Sequence, residues 1–291
     1  MTVTVPAERI WRCCDRYITL DAPLVMGIVN VTPDSFSDGG LFFDPGKAVE
    51  HGLKLVKDGA DILDIGGEST RPGADAVSEA EELRRVIPVV RGLCSKCDVP
   101  VSVDTRRAAV AREVIAAGAC IVNDVMPLAE DPEMVEVVRA SGCGLVTMHM
   151  RGTPETMQSQ TLYDDVVAEV ENFLAAALRQ CAEGGIAPEC VVIDPGIGFA
   201  KTTEQNLELL AALPRLARLA PVLIGVSRKR FIGELCGEPV AAERLGGSVG
   251  IAVWCALQGA AVLRVHDVKA TRQALTVVEE LQKRVAEKEN V

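Results

Sequence analysis

The chain has 291 residues, 48% of them hydrophobic, with 30 basic and 41 acidic side chains and a net charge of −11. That is enough apolar material for one large closed core or two modest ones, and the acidic balance argues against nucleic acid or an anionic membrane as partner. The longest apolar runs fall short of a bilayer span and residues 1–24 lack the layout of a secretory leader, so a soluble, cytoplasmic protein is expected.

In chain order, residues 8–23 precede the first strong apolar run and are expected to form a hairpin or plug at one end of the fold. A series of short runs rich in Val, Ile and Leu follows. They are "LVMGIVN" (24–30), "DILDIG" (61–66), "VPVSVD" (99–104), "CIVNDV" (120–125), "GLVTMHM" (144–150), "VVIDPG" (191–196), "VLIGVS" (222–227) and "VLRVHD" (262–267). Strands covered by helices on both faces read this way. Amphipathic stretches such as "YDDVVAEVENFLAAALRQCAEGG" separate them, closed by a Gly pair as helices often are. Eight alternations in about 250 residues predict a (β/α)8 TIM barrel. A doubly wound open sheet is the competitor, but it usually has fewer strands and a glycine-rich first turn. With no composition break in sight, we expect a single domain over 1–291: an extension (1–23) and a barrel (24–285).

The ten cysteines do not suggest a disulfide framework in a chain this large. Cys120, Cys143, Cys181, Cys190 and Cys255 fall in or beside apolar segments and read as small buried hydrophobes. Cys94 and Cys97 form a lone CxxC without a second ligand pair at zinc spacing, and read as a chance pair at a helix end.

Nearly every predicted strand ends in a polar residue: Asn30, Glu68, Asp104, Asn123, His149, Asp194, Ser227 and His266. One such residue means only that strands meet water. Eight converging on the C-terminal mouth of a barrel point to a small-molecule site. Lys229 and Arg264 bring positive charge to the ends of the last two strands, and Arg71 adds more from "STRPG". Arg264, His266 and Arg71 suit a phosphate or pyrophosphate; salt bridging of Arg264 to a neighbouring helix is the plainer alternative. Asp104 and Asp194 need partners if buried. Lys229 can neutralise one, and a ligand edge with two adjacent N–H donors, as in pterins and purines, can pair with the other. Asn123, both donor and acceptor, suits the remaining ring nitrogens.

Beyond the first strand lies "NVTPDSFSDGG" (30–40), longer than the ordinary strand-to-helix loop. Together with "MGIVNVTPDSFSDGG", the segments "DIGGESTRPGA", "SVDT", "IVNDV", "MHMRGTPETMQ", "DPGIGFAKT", "GVSRKRFIG" and "RVHDV" occur in order, each at a predicted strand end. On these segments the chain resembles the dihydropteroate synthases from about residue 24 to 285.

The resemblance implies condensation of 6-hydroxymethyl-7,8-dihydropterin diphosphate with 4-aminobenzoate, giving 7,8-dihydropteroate and pyrophosphate. By position, Asp194 would accept from the pterin's amino-pyrimidinone edge, with Asn123, Asp104 and Lys229 completing that pocket. Arg264, His266 and Asn30 would hold the diphosphate, Asn30 also as a ligand to Mg2+. Thr70, Arg71 and Pro72 belong to a second mobile loop. Phe199 and Lys229 lie on the aminobenzoate side, although core packing explains the Phe199 ring nearly as well. The 30–40 stretch becomes the first mobile loop, with Phe36 a candidate wall for the aromatic ring and Gly39 and Gly40 as hinges. Loss of pyrophosphate leaves positive character on the exocyclic methylene, which Asp38 and Asp104 can offset; with Lys229 they are the candidate catalytic residues. Many family members carry a small hydroxyl residue after the Lys of "SRK"; Arg230 stands there instead, leaving the aminobenzoate carboxylate to a guanidinium or a backbone N–H. The resemblance also implies a homodimer, with "SVGIAVWCALQGAAVL" (248–263) as a candidate face. A pterin-dependent methyltransferase needs no diphosphate cluster, and a pterin-binding paralogue without catalysis need not keep so many site residues.

Overall fold

The computed structural model describes residues 9–31, 44–68, 77–126, 128, 131–153 and 156–289. An antiparallel hairpin of β1 (Ile10–Cys13) and β2 (Arg16–Thr19) comes first. The strands that follow are β3 (Leu24–Asn30), β4 (Ile62–Gly66), β5 (Val101–Asp104), β6 (Ile121–Asp124), β7 (Gly144–Met148), β8 (Val191–Asp194), β9 (Leu223–Gly225) and β10 (Val262–Val265). Between and after them run α1 (Pro45–Lys57), α2 (Glu79–Cys94), α3 (Ala108–Ala116), α4 (Glu133–Ser141), α5 (Val166–Glu183), α6 (Thr203–Ala211), α7 (Leu213–Leu216), α8 (Arg230–Cys236), α9 (Leu245–Leu257) and α10 (Val268–Glu289).

The eight later strands pair in parallel in the order β8-β7-β6-β5-β4-β3-β10-β9. A bridge between Ile193 and Val222 brings the two ends together, and the Ile193 N–H donates to the Pro221 carbonyl at 2.9 Å. The result is the expected (β/α)8 barrel. All eight apolar runs became strands, trimmed at their ends. Pro100 delays β5 to Val101, since proline brings no N–H to a ladder. The helices start where their caps permit: Asp44 accepts from the Gly46 and Lys47 N–H groups at α1, and Thr202 with Gln205 forms a capping box at α6.

The hairpin closes the N-terminal end of the barrel. Trp11 and Cys13 bury against Met26, Ile62, Ile121, Val146, Val192 and Val262, residues in the lower parts of their strands. The Trp11 indole N–H donates to the Cys190 carbonyl at 2.9 Å. With the bottom filled, a ligand enters from the opposite mouth. The five cysteines expected as buried hydrophobes are buried. Among the described residues, no helix is long and apolar enough to cross a membrane.

Candidate active site

Register aligns the mouth. Asn30 pairs with Gly66, Gly66 with Asp104, and Asp104 with Asn123, so three polar side chains occupy one row across β3 to β6. Gly66 leaves the row open in its middle. A Cβ there would stand 3.7 Å from Asn30 Oδ1 and 3.9 Å from the Asp104 Cβ.

Below that row lies a buried polar network. Arg264 on β10 reaches across the barrel, its Nε donating to Asp64 Oδ2 at 2.6 Å and its Nη2 to Asp104 Oδ2 at 2.8 Å. Asp64, fully buried, also accepts from Ser102 Oγ at 2.6 Å and from Asn123 Nδ2 at 3.2 Å. A carboxylate cannot donate, so the Asn123 amide must turn its NH2 to Asp64 and its oxygen away. Burial works against the Arg264 charge, and Asp64 and Asp104 more than offset it, raising its pKa. For Asp104 burial dominates and raises the carboxyl, with Arg264 opposing and Asp64 reinforcing.

Across the mouth, Asp194 ends β8 and accepts the Gly196 N–H at 2.7 Å. Burial raises its carboxyl, against that N–H and the nearby Lys229, Lys201 and Arg264. Lys229 caps α8 and sets its Nζ 4.2 Å from the centre of the Phe199 ring. Burial lowers its ammonium to about 8, in spite of Asp194 and Asp104. Lys201 is buried too, donating to His149 Nδ1 at 3.0 Å and to the carbonyls of Gly196 at 3.0 Å and Phe199 at 2.9 Å. Carboxylates thus face the mouth from both sides, with cations between and behind them. That arrangement binds a planar ligand through its N–H donors and a polyanionic tail through positive charge.

A family model described as "Pterin binding enzyme" matches residues 26–266. The dihydropteroate synthase of Neisseria meningitidis serogroup B is 47% identical over 281 residues, covering 94% of this chain and 98% of that protein. The solved Xanthomonas albilineans dihydropteroate synthase with 4-aminobenzoic acid is 50% identical, covers 95% of this chain and 99% of its own, and superposes with a TM-score of 0.89. The same enzyme in complex with 7,8-dihydropteroate is 48% identical, covers 93% and 98%, and gives a TM-score of 0.84. This chain belongs to the dihydropteroate synthase family.

Among the site residues that family membership implies, the fold brings Asn30, Asp104, Asn123, Asp194, Phe199, Lys229, Arg264 and His266 to the mouth ends of the strands or the loops just beyond. Arg264, expected at the diphosphate, spends two N–H groups on Asp64 and Asp104, so its charge also serves the barrel interior. His266 Nδ1 lies 3.0 Å from Ser227 Oγ, which also accepts the His266 backbone N–H at 3.2 Å. Arg230 is exposed at the first turn of α8, its Nε 2.9 Å from Glu234. Phe36, Asp38, Thr70, Arg71 and Pro72 lie outside the described residues, as does the first loop beyond Val31.

Two residues at this dihydropteroate synthase site were missed in the sequence. Asp64 sits inside "DILDIG", and its signal is a carboxylate within a run otherwise fit for a two-sided core. Lys201 follows "DPGIGFA" in a quoted motif, where a lysine beside Phe199 reads as a solvated loop residue.

Proposed function

We propose that this chain joins 6-hydroxymethyl-7,8-dihydropterin diphosphate to 4-aminobenzoate, forming 7,8-dihydropteroate and pyrophosphate for folate synthesis. The observation that carries the reading is the acceptor face of Asp104, Asn123 and Asp194 set against Lys229 and Arg264 at a barrel mouth. Asp194 keeps one carboxylate oxygen on the Gly196 N–H and offers the other to the pterin's amino-pyrimidinone edge. Asn123 presents its amide oxygen to a ring N–H, and Lys229 donates to the carbonyl side.

In the reaction the bond from the exocyclic methylene to the diphosphate oxygen breaks ahead of bond formation, its electron pair leaving with pyrophosphate. The aminobenzoate nitrogen then bonds to that carbon and releases one proton to the departing pyrophosphate or to water. An aromatic amine is already unprotonated at neutral pH, so the site needs no strong general base. It needs negative charge beside a carbon that becomes electron-poor, which Asp104 supplies, assisted by Asp38. Arg264, His266 and Arg71 hold the leaving group. Phe199 and Lys229, stacked at 4.2 Å, form the aminobenzoate side with Phe36, Thr70, Pro72 and the N-terminus of α8 at Arg230.

We assign Mg2+ to the diphosphate, with Asn30 as its protein ligand. Among the described residues no cluster of three or more His, Cys, Asp or Glu side chains forms a cage for a metal. A single amide oxygen at the open row over Gly66 fits an ion that keeps waters and takes substrate phosphate oxygens. When bound, Mg2+ neutralises charge on the leaving group.

We further propose a homodimer through α9 and α10. Those helices pack on each other, and Trp254, Leu257, Val277, Leu281 and Val285 are exposed on them. Light scattering of the native chain and of Trp254→Glu tests this; a monomeric wild type refutes it. The reaction is tested by following dihydropteroate with both substrates and Mg2+, omitting each in turn, alongside Lys229→Ala. Product that requires aminobenzoate and fails in the variant supports the assignment. Tight binding of the pterin diphosphate without product would point to a binding protein.

A further inference from the structure

The segment between β8 and α6 leaves the strand as an unusual coil. Gly196, Gly198 and Ala200 take left-handed backbone conformations, with φ of 69°, 85° and 49°. Such a coil carries little regular hydrogen bonding of its own, yet it supports the Phe199 ring beneath Lys229. Two side chains anchor it. Asn206 Oδ1 accepts the Gly198 N–H at 2.7 Å, and Lys201 donates to the Gly196 and Phe199 carbonyls and to His149 Nδ1.

We propose that Lys201 is a positioning residue for the aminobenzoate half of the site, fixing Phe199 by tying two loop carbonyls to His149 at the end of β7. The inference rests on the synthase reading above.

The hydrogen-bond count supports a built device. An ammonium has three donors, and here three acceptors surround it at 2.9 to 3.0 Å. None of the three is a carboxylate. A lysine buried for stability alone would be paired with one, or replaced by an apolar side chain at no loss. The ammonium is instead lowered to about 7, chiefly by burial, with Asp194 opposing and Lys229 and Arg151 assisting. His149 is kept neutral: burial first, then Lys201 and Arg151, bring it to about 3. Its ring meets Phe173 edge-on at 4.9 Å, and Arg151 stacks 3.7 Å from the centre of the adjacent Tyr163 ring. A neutral imidazole that accepts at Nδ1 carries its proton on Nε2. As an ammonium Lys201 can only donate, so His149 Nδ1 accepts from it and the two loop carbonyls take its other N–H groups.

The location decides which substrate is affected. Asp194 belongs to β8 and keeps its Gly196 contact through the backbone N–H, whereas Phe199 hangs from the coil whose carbonyls Lys201 holds. Loss of Lys201 should thus loosen the aromatic wall more than the pterin edge.

The test uses steady-state kinetics of the full chain with Lys201→Met, His149→Leu and His149→Asn. Asparagine carries its oxygen on Cγ, where the imidazole carries Nδ1, so it keeps the acceptor. We expect Lys201→Met and His149→Leu to raise KM for aminobenzoate about 10-fold, with kcat and KM for the pterin diphosphate within about 3-fold of wild type. His149→Asn should stay within about 3-fold in all three constants. Unchanged aminobenzoate KM in the two disruptive variants overturns the proposal. So does an equal loss in every constant that follows a fall in Tm. If Lys201→Met does not fold, His149→Leu decides between the same outcomes. A wild-type chain that makes no dihydropteroate overturns the synthase reading itself, and the positioning role with it.

Discussion

Substituting Asp64 by Asn should cost this protein about 3 kcal/mol, a large share of the roughly 5–15 kcal/mol that holds an ordinary domain together. The carboxylate accepts from Ser102, Asn123 and Arg264 at once. An amide of the same shape has one oxygen and one NH2, so at least one of those donors must face another donor. A buried donor left without an acceptor costs about 1–3 kcal/mol. Loss of the charge adds to this, because Arg264 is only 21% exposed and, among the described residues, keeps Asp104 as its remaining ion-pair partner. Breaking a buried pair outright costs about 3–5 kcal/mol, and the remaining Asp104 holds the total near the lower figure.

The decisive assay is a double-mutant cycle, with urea unfolding of Asp64→Asn, Arg264→Met and both together. Removing Arg264 alone leaves two carboxylates facing each other in the barrel, so that variant should also lose about 3 kcal/mol or more. In the double variant the repulsion is gone, and the combined loss should fall short of the sum by at least 1 kcal/mol, which is on the order of coupling between residues in contact. Additivity within about 0.5 kcal/mol would refute the network as a unit. Pterin affinity should fall as well in Asp64→Asn, because the Asn123 amide is then free to turn its NH2 toward the ligand.

Trp11→Ala should destabilise by about 3–5 kcal/mol, the usual range for a buried tryptophan, while pterin binding to the folded fraction changes little, because the hairpin closes the opposite end; urea unfolding checks the first and calorimetric titration the second. Gly196→Ala places a Cβ 2.0 Å from the His149 carbonyl oxygen at a φ of 69°, and is expected to abolish soluble expression or lower Tm by more than 10 °C, on the order of 3 kcal/mol for a domain of this size. His149 supplies a pH dependence of stability. Its pKa is about 3 folded against 6.5 as a free side chain, so the stability it supports is full above 6.5 and is lost as pH falls toward 3, on the order of 5 kcal/mol in all. Denaturation midpoints of His149→Asn across that window should show a flatter acid slope. Lys229 governs the alkaline side of activity: its ammonium is charged below about 8, so kcat/KM should decline above that pH, and Lys229→Arg should move the decline upward.

The barrel was legible because its cause is local. A strand covered on both faces has to be apolar along its whole length, and the runs from "LVMGIVN" to "VLRVHD" show this without reference to one another. Asp104, Asn123 and Asp194 were legible for a related reason, since a polar residue closing such a run marks the end where helices no longer cover the strand. Asp64 and Arg264 were harder. Arg264 was visible, but its carboxylate partners lie 200 and 160 residues away, and only closure of the sheet brings them together. The interior role seen in the fold takes Nε and Nη2 of the guanidinium, and the diphosphate role proposed for it falls to the remaining N–H groups.

Lys201 was hidden by the opposite circumstance. Two of its acceptors lie five and two residues away, yet they are backbone carbonyls, to which sequence gives no name. Its third, His149, was counted among the polar strand ends that point to a small-molecule site, with no partner read for it. Burial against Phe173 makes it a fixed acceptor. The same low dielectric that penalises these charges also makes each hydrogen bond between them more directional and harder to replace with water. Asp64 and Lys201 therefore act alike on opposite sides of the mouth. Each commits a neighbour's ambiguous group to one orientation: Asp64 turns the Asn123 amide oxygen outward, and Lys201 holds the His149 imidazole as an acceptor that anchors the loop under Phe199.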